Sequence, residues 1–292
     1  MKKLFLYLLM LLCCAVMAVA EEPKVETYTE GAYEYILTEE GAVLTSWKWY
    51  TDGYVLPEVV ELPAELDGQP VVGIGYNALN TSEMDYEDTF TLIVPEGVKW
   101  LDEVAFQCCH NANVIHFPAS LTNIPEGCFD HVWATFIVAE DNPRYEVRNG
   151  FLIDVQTDTI IYTEVNCGDN PIPAVRRIGA GSMDNWGTEW GQDMVIPEGV
   201  EEIGEYAFYD WELSRVTLPE SLRLIESNAF DIVITEPVIL PAGVEMVQRW
   251  AFSGCGSEIE VIATSDATHF ETADEYEART GYRHWMDDWA EE

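Results

Sequence analysis

Apolar and polar residues alternate in short bursts along this chain, and each burst stops at a proline. Leu213-Ser214-Arg215-Val216-Thr217-Leu218 ahead of Pro219 shows the pattern. A period of two marks a strand with one buried face. Pro95, Pro118, Pro197, Pro219 and Pro241 end the five clearest bursts, at spacings of 23 (95 to 118), 22 (197 to 219) and 22 (219 to 241). The register after each proline is fixed. An aliphatic residue follows three later (Val98, Leu121, Val200, Leu222, Val244) and six later (Leu101, Ile124, Ile203, Ile225, Val247). Phenylalanine follows eleven later in every copy (Phe106, Phe129, Phe208, Phe230, Phe252), preceded by alanine in four of the five. Weaker copies frame these at Leu62-Pro63 with Ile74-Gly75 and Ala78-Leu79, and at Ile172-Pro173 with Ile178-Gly179 and Met183.

Each recurring position has a physical task. Residues one and three before proline point inward: Leu92 and Val94, Ile115 and Phe117, Met194 and Ile196, Val216 and Leu218, Val238 and Leu240. The residue two before points to the outer face: Ile93, His116, Val195, Thr217 and Ile239, joined by Ile137. Proline closes each strand, where its missing N–H is harmless. Pro-x-Gly predicts a type I turn with proline at i+1 and glycine at i+3. Ser120 and Ser221 stand in the glycine slot, so a positive φ is not expected to be obligatory there. One unit cannot bury its apolar face alone, so units stack into a continuous core. The expected fold is a repeat solenoid of about eight or nine units, mainly β, with short parallel strands on one face and turns and short helical pieces elsewhere.

The first twenty residues break this pattern. Lys2 and Lys3 precede the apolar run Leu4 to Met17, and Ala18-Val19-Ala20 stands before Glu21 and Glu22. That is the layout of a secretory signal peptide cleaved after residue 20. As an uncleaved anchor the run is short against the roughly 20 residues of a span. As a lipoprotein signal it lacks small residues ahead of Cys13 and Cys14. No later stretch is long and apolar enough to span, so no stable membrane insertion is expected after cleavage.

Charge and cysteine usage narrow the partners. The formal charge is −39, and loss of Lys2 and Lys3 leaves 12 basic against 53 acidic residues, 12 − 53 = −41. Such a surface repels nucleic acid and anionic membranes. It favours cationic partners, divalent metals or solubility alone. Cys108, Cys109, Cys128, Cys167 and Cys255 remain after cleavage, an odd number that makes no tidy disulfide framework. Cys109 and Cys255 lie three after the repeat phenylalanine, in the slot held elsewhere by Trp211 and Val233. They read as small buried apolar residues, with a disulfide at Cys108 or Cys109 as the alternative, since export permits one.

Catalytic and metal chemistry finds little in the sequence. His110, His116, His131, His269 and His284 show no metal-ligand spacing. Carboxylates are too abundant for any pair to stand out. Asp85-Tyr86-Glu87-Asp88 and Asp287-Asp288 offer oxygen ligands to a hard cation but no defined loop pattern, so loose counterion attraction is expected. Gly73-Ile74-Gly75 lacks the third glycine of a phosphate-binding turn. No catalytic residue, no metal site and no cofactor is expected.

The stretch Ile196 to Phe208 resembles the BspA-like leucine-rich repeat of bacterial surface and secreted proteins, whose consensus runs roughly Ile-Pro-x-x-Val-x-x-Ile-Gly-x-x-Ala-Phe-x-x-Cys. Asn142-Pro143-Arg144-Tyr145 through Gly150-Phe151-Leu152-Ile153 to Ile160-Ile161-Tyr162 is similar to the longer unit that interrupts such arrays. Tyr33-Glu34-Tyr35 through Asp67-Gly68-Gln69-Pro70-Val71 is similar to their N-terminal segment. The resemblance implies a right-handed leucine-rich-repeat coil over 62–263, interrupted at about 139–171, with a β-rich cap over 21–61. A capping helix and acidic tail follow over 264–292. There, Thr272 and Glu275 form a capping box, Ala273 and Tyr276 face the last repeat, and Gly281 closes the helix. It also implies an exported, adhesin-like, non-enzymatic protein binding an extracellular protein or glycan. A spacer in a surface assembly and, less favoured, a secreted hydrolase are the alternatives. The outer-face residues Ile93, His116, Ile137, Val195, Thr217 and Ile239 are the candidate binding row, although β-branched residues also suit an exposed strand on their own account.

Overall fold

A computed structural model describes residues 26–49, 55–129, 132–164, 170–183, 192–253 and 259–282. The stretch expected to be a signal peptide, Cys167, Cys255, His131, His284 and Asp287-Asp288 lie outside the described residues.

The alternating bursts form strands, and the strands of successive repeats pair in parallel. Val59–Glu61, Phe90–Ile93, Ala112–Phe117 and Thr135–Val138 make one four-stranded sheet. Gln192–Val195, Phe208–Thr217 and Phe230–Ile234 make a second, and Val238–Leu240 pairs with Val261–Ala263 in a third. Two-residue strands on another side, from Arg177–Ile178 through Glu202–Ile203, Leu224–Ile225 and Met246–Val247 to His269–Phe270, pair in order and in parallel. The chain is thus a mainly β solenoid of about seven turns. That is fewer than the units counted in the sequence, because the 142–163 stretch folds as an antiparallel hairpin rather than as repeat turns.

All ten inward residues of the five strands are buried. So are the alanines Ala105, Ala207, Ala229 and Ala251, and four of the five repeat phenylalanines, Phe252 being half-buried. The small residue lets the next turn approach while the ring fills the interior. Phe208, Phe230 and Phe252 stack at 5.1 Å centroid spacing and nearly parallel. Glycine after the short strand serves the same closeness: a Cβ at Gly204 would sit 2.6 Å from the Ala180 nitrogen of the preceding turn.

The turn after each strand differs from the expectation. Val98 N–H donates to the Pro95 carbonyl (3.4 Å) and Val200 N–H to that of Pro197 (3.4 Å), so proline is the first turn residue, not the second. Gly97 and Gly199 then fall at i+2 with φ of 107° and 105°, the position that needs a positive φ. The shift follows from the ladder: Val94 and Ile196, just before proline, still donate across the sheet to His116 and Thr217, so the chain reverses after proline. Ser120 and Ser221 do other work. Each hydroxyl accepts from the glycine N–H of the turn below (2.9 Å) and donates to the carbonyl of Val98 or Val200 (2.8 Å).

Many carboxylates are part of the frame. Glu96 accepts from the Ala119 and Ser120 N–H groups, and Glu198 from those of Glu220 and Ser221. Further along, Glu226 and Glu271 accept from the Glu205 and Arg249 N–H groups of the preceding turn, and the neutral Gln248 amide oxygen takes the same place for Ser227. Acidity here is more than a solvated coat, because these oxygens satisfy donors that turns leave open.

The interrupting hairpin, Tyr145–Arg148, Phe151–Asp154 and Thr159–Thr163, divides the core in two. Both faces of its central strands are buried. Leu152, Ile161 and Tyr162 join the N-terminal core, while Phe151, Ile153 and Ile160 join the C-terminal one. Arg177 ties the halves from outside, holding Glu126 on one side and Glu202 and Glu226 on the other at 3.0–3.2 Å.

Both ends are closed. The antiparallel strands Thr27–Glu30, Tyr33–Leu37 and Ala42–Trp47 lead into the solenoid through parallel pairing of Ala42–Trp47 with Gln69–Ile74. Buried Tyr35 donates to Asp67, which together with burial pushes its phenol up to about 12. At the other end, the helix Ala273–Thr280 opens on the Thr272/Glu275 capping box and ends at Gly281 with φ 71°. Ala273 and Tyr276 are half-buried. Arg279 anchors the helix through Glu271 and Ser227.

One expectation for the cysteine slot needs revision. Trp211 is buried, with its indole donating to the Met183 carbonyl, but Val233 in the nominally equivalent slot is 47% exposed. A bulge between Tyr209 and Glu212 shifts the register so that Val233 pairs with Glu212 instead. Cys109 and Cys128 carry free thiols. Cys109 and Cys128 are buried, and burial pushes both thiols up to about 12, which makes them poor nucleophiles.

Candidate binding surface

The alternation that buries residues one and three before proline sends the residue between them outward. Val195 is 63% exposed, Ile239 50% and Ile137 46%. Thr217 is exposed, while Ile93 and His116 are half-buried. The sheets decide which of these meet. Glu61, Ile93, His116 and Ile137 are successive cross-strand neighbours on the four-stranded sheet. Val195 lies beside Thr217, and Ile239 beside the exposed Ile262. The row expected as one strip is therefore carried by three sheets.

Next to Ile137 the surface is concave. A groove of about 400 Å³ runs between Thr135–Val138 and the hairpin strand Tyr145–Arg148, with Ile137, Val138, Val147 and Val155 on its walls and Glu140 and Glu146 at its rim. Glu164 borders this region. Its carboxylate accepts from the Phe136 N–H at 2.8 Å, at the strand edge that points away from Ala112–Phe117. Burial raises its proton affinity above the ordinary carboxylate range, partly offset by that hydrogen bond.

A second cleft, of about 380 Å³, lies where the hairpin meets Asn123 to Glu126. It holds Arg144, Arg176 and Arg177, an unusual gathering of bases in so acidic a chain. Their donors are engaged: Arg144 by Asp154 and the Thr122 carbonyl, Arg176 by Glu201 and Glu202, Arg177 by its three glutamates. The cleft is a joint between the two halves, not an open anion site.

Asp85, Glu87 and Asp88 do not converge: among the described residues, no three His, Cys, Asp or Glu side chains are placed to hold a metal ion. What the sequence did not reveal is the ring beside them. Tyr86, His110 and Trp133 come from three successive turns and pack together. His110 and Trp133 share a repeat position, each fifteen after its proline (95 to 110, 118 to 133), but Tyr86 has no such register, so the repeat does not mark the three as a group. Among the described residues, no helix is long and apolar enough to cross a membrane.

Short parallel strands stacked at a 22-residue period around a phenylalanine spine define a leucine-rich-repeat solenoid. The chain belongs to the BspA-type leucine-rich-repeat family, whose profile matches six copies over residues 74–143 and 189–273. Among solved structures it is similar to the pneumococcal vaccine antigen PcpA (14% identity, 86% of this chain and 89% of that one, TM-score 0.44). It is also similar to a leucine-rich repeat protein from Eubacterium ventriosum (15%, 82% and 73%, TM-score 0.40). A third is a leucine-rich cell surface protein from Faecalibacterium prausnitzii (16%, 89% and 98%, TM-score 0.38). No curated protein matches the chain.

Proposed function

We propose that this chain is an exported, cell-surface or secreted binding protein that uses the outer face of its strands to hold an extracellular protein or glycan. The observation that carries the reading is the exposure of Ile137, Val195 and Ile239 at positions where the alternation leaves room for any polar residue. Exposed apolar residues that recur on one face mark interaction surfaces, and the groove beside Ile137 adds concavity. Membership of a repeat family supports a binding role, since stacked turns build extended surfaces. The Lys2/Lys3, Leu4 to Met17 and Ala18-Val19-Ala20 pattern supports export, and the name of the Faecalibacterium protein places that relative at the cell surface.

The test is a triple substitution, Ile137→Ser, Val195→Ser and Ile239→Ser. All three side chains face outward, so the melting temperature should hold while capture of the extracellular ligand falls. Capture that is unchanged by the triple substitution sinks the proposal.

A further inference from the structure

We propose that the open face of Tyr86, backed by His110 and Trp133, binds an arginine side chain presented by a basic polypeptide. Tyr86 is 70% exposed. Its ring lies 4.6 Å from His110 at 24° and 6.1 Å from Trp133 at 20°, while His110 and Trp133 are 5.8 Å apart. Two near-parallel partners thus support the tyrosine from the protein side, and its exposure leaves the outward side free. The exposed carboxylates of Asp85, Glu87 and Asp88 flank it.

The ring is held before any ligand arrives. Fully buried Asn111 donates to the carbonyls of Asp85 (2.8 Å) and Asp88 (3.1 Å), pinning the loop that carries Tyr86. Asp88 N–H returns to the Asp85 carbonyl at 3.0 Å, and Phe90 N–H donates to the Asn111 carbonyl at 3.0 Å. Binding therefore loses little freedom in the loop, which is where preorganisation contributes affinity.

Charge selects the ligand. Residues 49–143 contain one lysine, Lys99, and no arginine, and Lys99 is paired with Glu40 at 3.0 Å. An aromatic face in a negative field attracts cations. A guanidinium stacks flat on the ring while its forked donors reach carboxylates at the edge, which a lysine ammonium does less well. The chain uses the same pairing internally, with Arg144 over Tyr145, Arg249 over Trp250 and Arg279 over Tyr276. Among the described residues, no guanidinium of the chain itself covers Tyr86. A neutral sugar would also stack on the ring but would draw nothing from the field. Tyr86 lies in a loop ahead of the strands, and substitutions there leave the outer-face residues Ile137, Val195 and Ile239 unchanged.

The experiment is isothermal titration calorimetry of acetylated, amidated triarginine into the whole chain at 0.15 M salt, where diffuse charge attraction is screened. Trilysine and maltotriose are the comparison ligands. Variants are Tyr86→Phe, Tyr86→Leu and the combination Asp85→Asn, Glu87→Gln, Asp88→Asn. The expected result is triarginine tighter than trilysine, affinity kept by phenylalanine, a loss of about two- to five-fold with leucine, and a further loss with the neutralised loop. Leucine keeps bulk and charge, so it isolates the ring. Equal affinity of the Tyr86→Leu variant and the parent overturns the proposal. Maltotriose binding that depends on Tyr86 while triarginine binding does not overturns it in favour of a sugar site.

Discussion

Leu152 and Ile153 are adjacent, fully buried, and belong to different cores. Truncating each to alanine should therefore damage opposite ends of the molecule. Loss of a fully buried Leu or Ile side chain costs about 2–5 kcal/mol, and the spread depends on how far the site collapses. Here the neighbours are fixed by strand pairing, Leu152 opposite Val147 and Tyr162, Ile153 opposite Glu146 and Ile160. Little collapse is available, so about 3 kcal/mol or more is expected for each. Because each turn of a solenoid contacts only its neighbours, the loss should stay on one side of the partition. Hydrogen exchange read by mass spectrometry resolves this. Leu152→Ala should deprotect peptides covering Phe90–Ile93, Ala112–Phe117 and Thr135–Val138. Ile153→Ala should deprotect those covering Phe208–Thr217 and Phe230–Ile234. Equal deprotection of both halves by either variant would refute a two-sided partition.

Other consequences are open to simpler assays. Phe208→Ala removes a buried ring stacked on Phe230 and should cost about 3–5 kcal/mol in thermal or denaturant unfolding, with a smaller loss for half-buried Phe252→Ala; the reverse order would contradict the spine. Arg177→Ala should destabilise by about 1–3 kcal/mol by leaving three glutamates facing one another, and adding Glu126→Gln should recover part of it. Two glutamates should show opposite pH behaviour. Burial raises Glu164, so the wild type loses stability as pH climbs from the ordinary carboxylate range through the raised folded value; Glu164→Gln keeps an acceptor for Phe136 and should melt higher at pH 7, with the gap closing in acid. For Glu271, burial raises the carboxyl but hydrogen bonds from Arg279 and the Arg249 N–H outweigh it, leaving it lowered. That stability is present above the ordinary range and lost as pH falls through the lowered folded value, so Glu271→Gln should melt lower at pH 7 and converge with the wild type in acid.

The solenoid was legible because its signals are local and recur: alternation, proline, and phenylalanine eleven later. The inward set followed from period two alone. Turn geometry was not legible, since placing Pro95 at i rather than i+1 depends on Val94 still bonding across to His116, a partner one repeat away. Val233 was misplaced for a similar reason, the bulge at Tyr209 being invisible in spacing. The partition shows in sequence only as an apolar run, Phe151-Leu152-Ile153, whose two faces need two cores to have meaning. The outer row was readable residue by residue, but its division among three sheets was not. His110 and Trp133 share one repeat position, but Tyr86, which completes the group, sits in a loop that the repeat does not record.

The binding role is tested most directly by immobilising the chain and its Ile137→Ser, Val195→Ser, Ile239→Ser variant side by side, after matching their melting temperatures. Each is exposed to extracellular protein and to glycan arrays. The account predicts a ligand retained by the parent and lost from the variant. A ligand held equally by both, or none held by the parent, would contradict it.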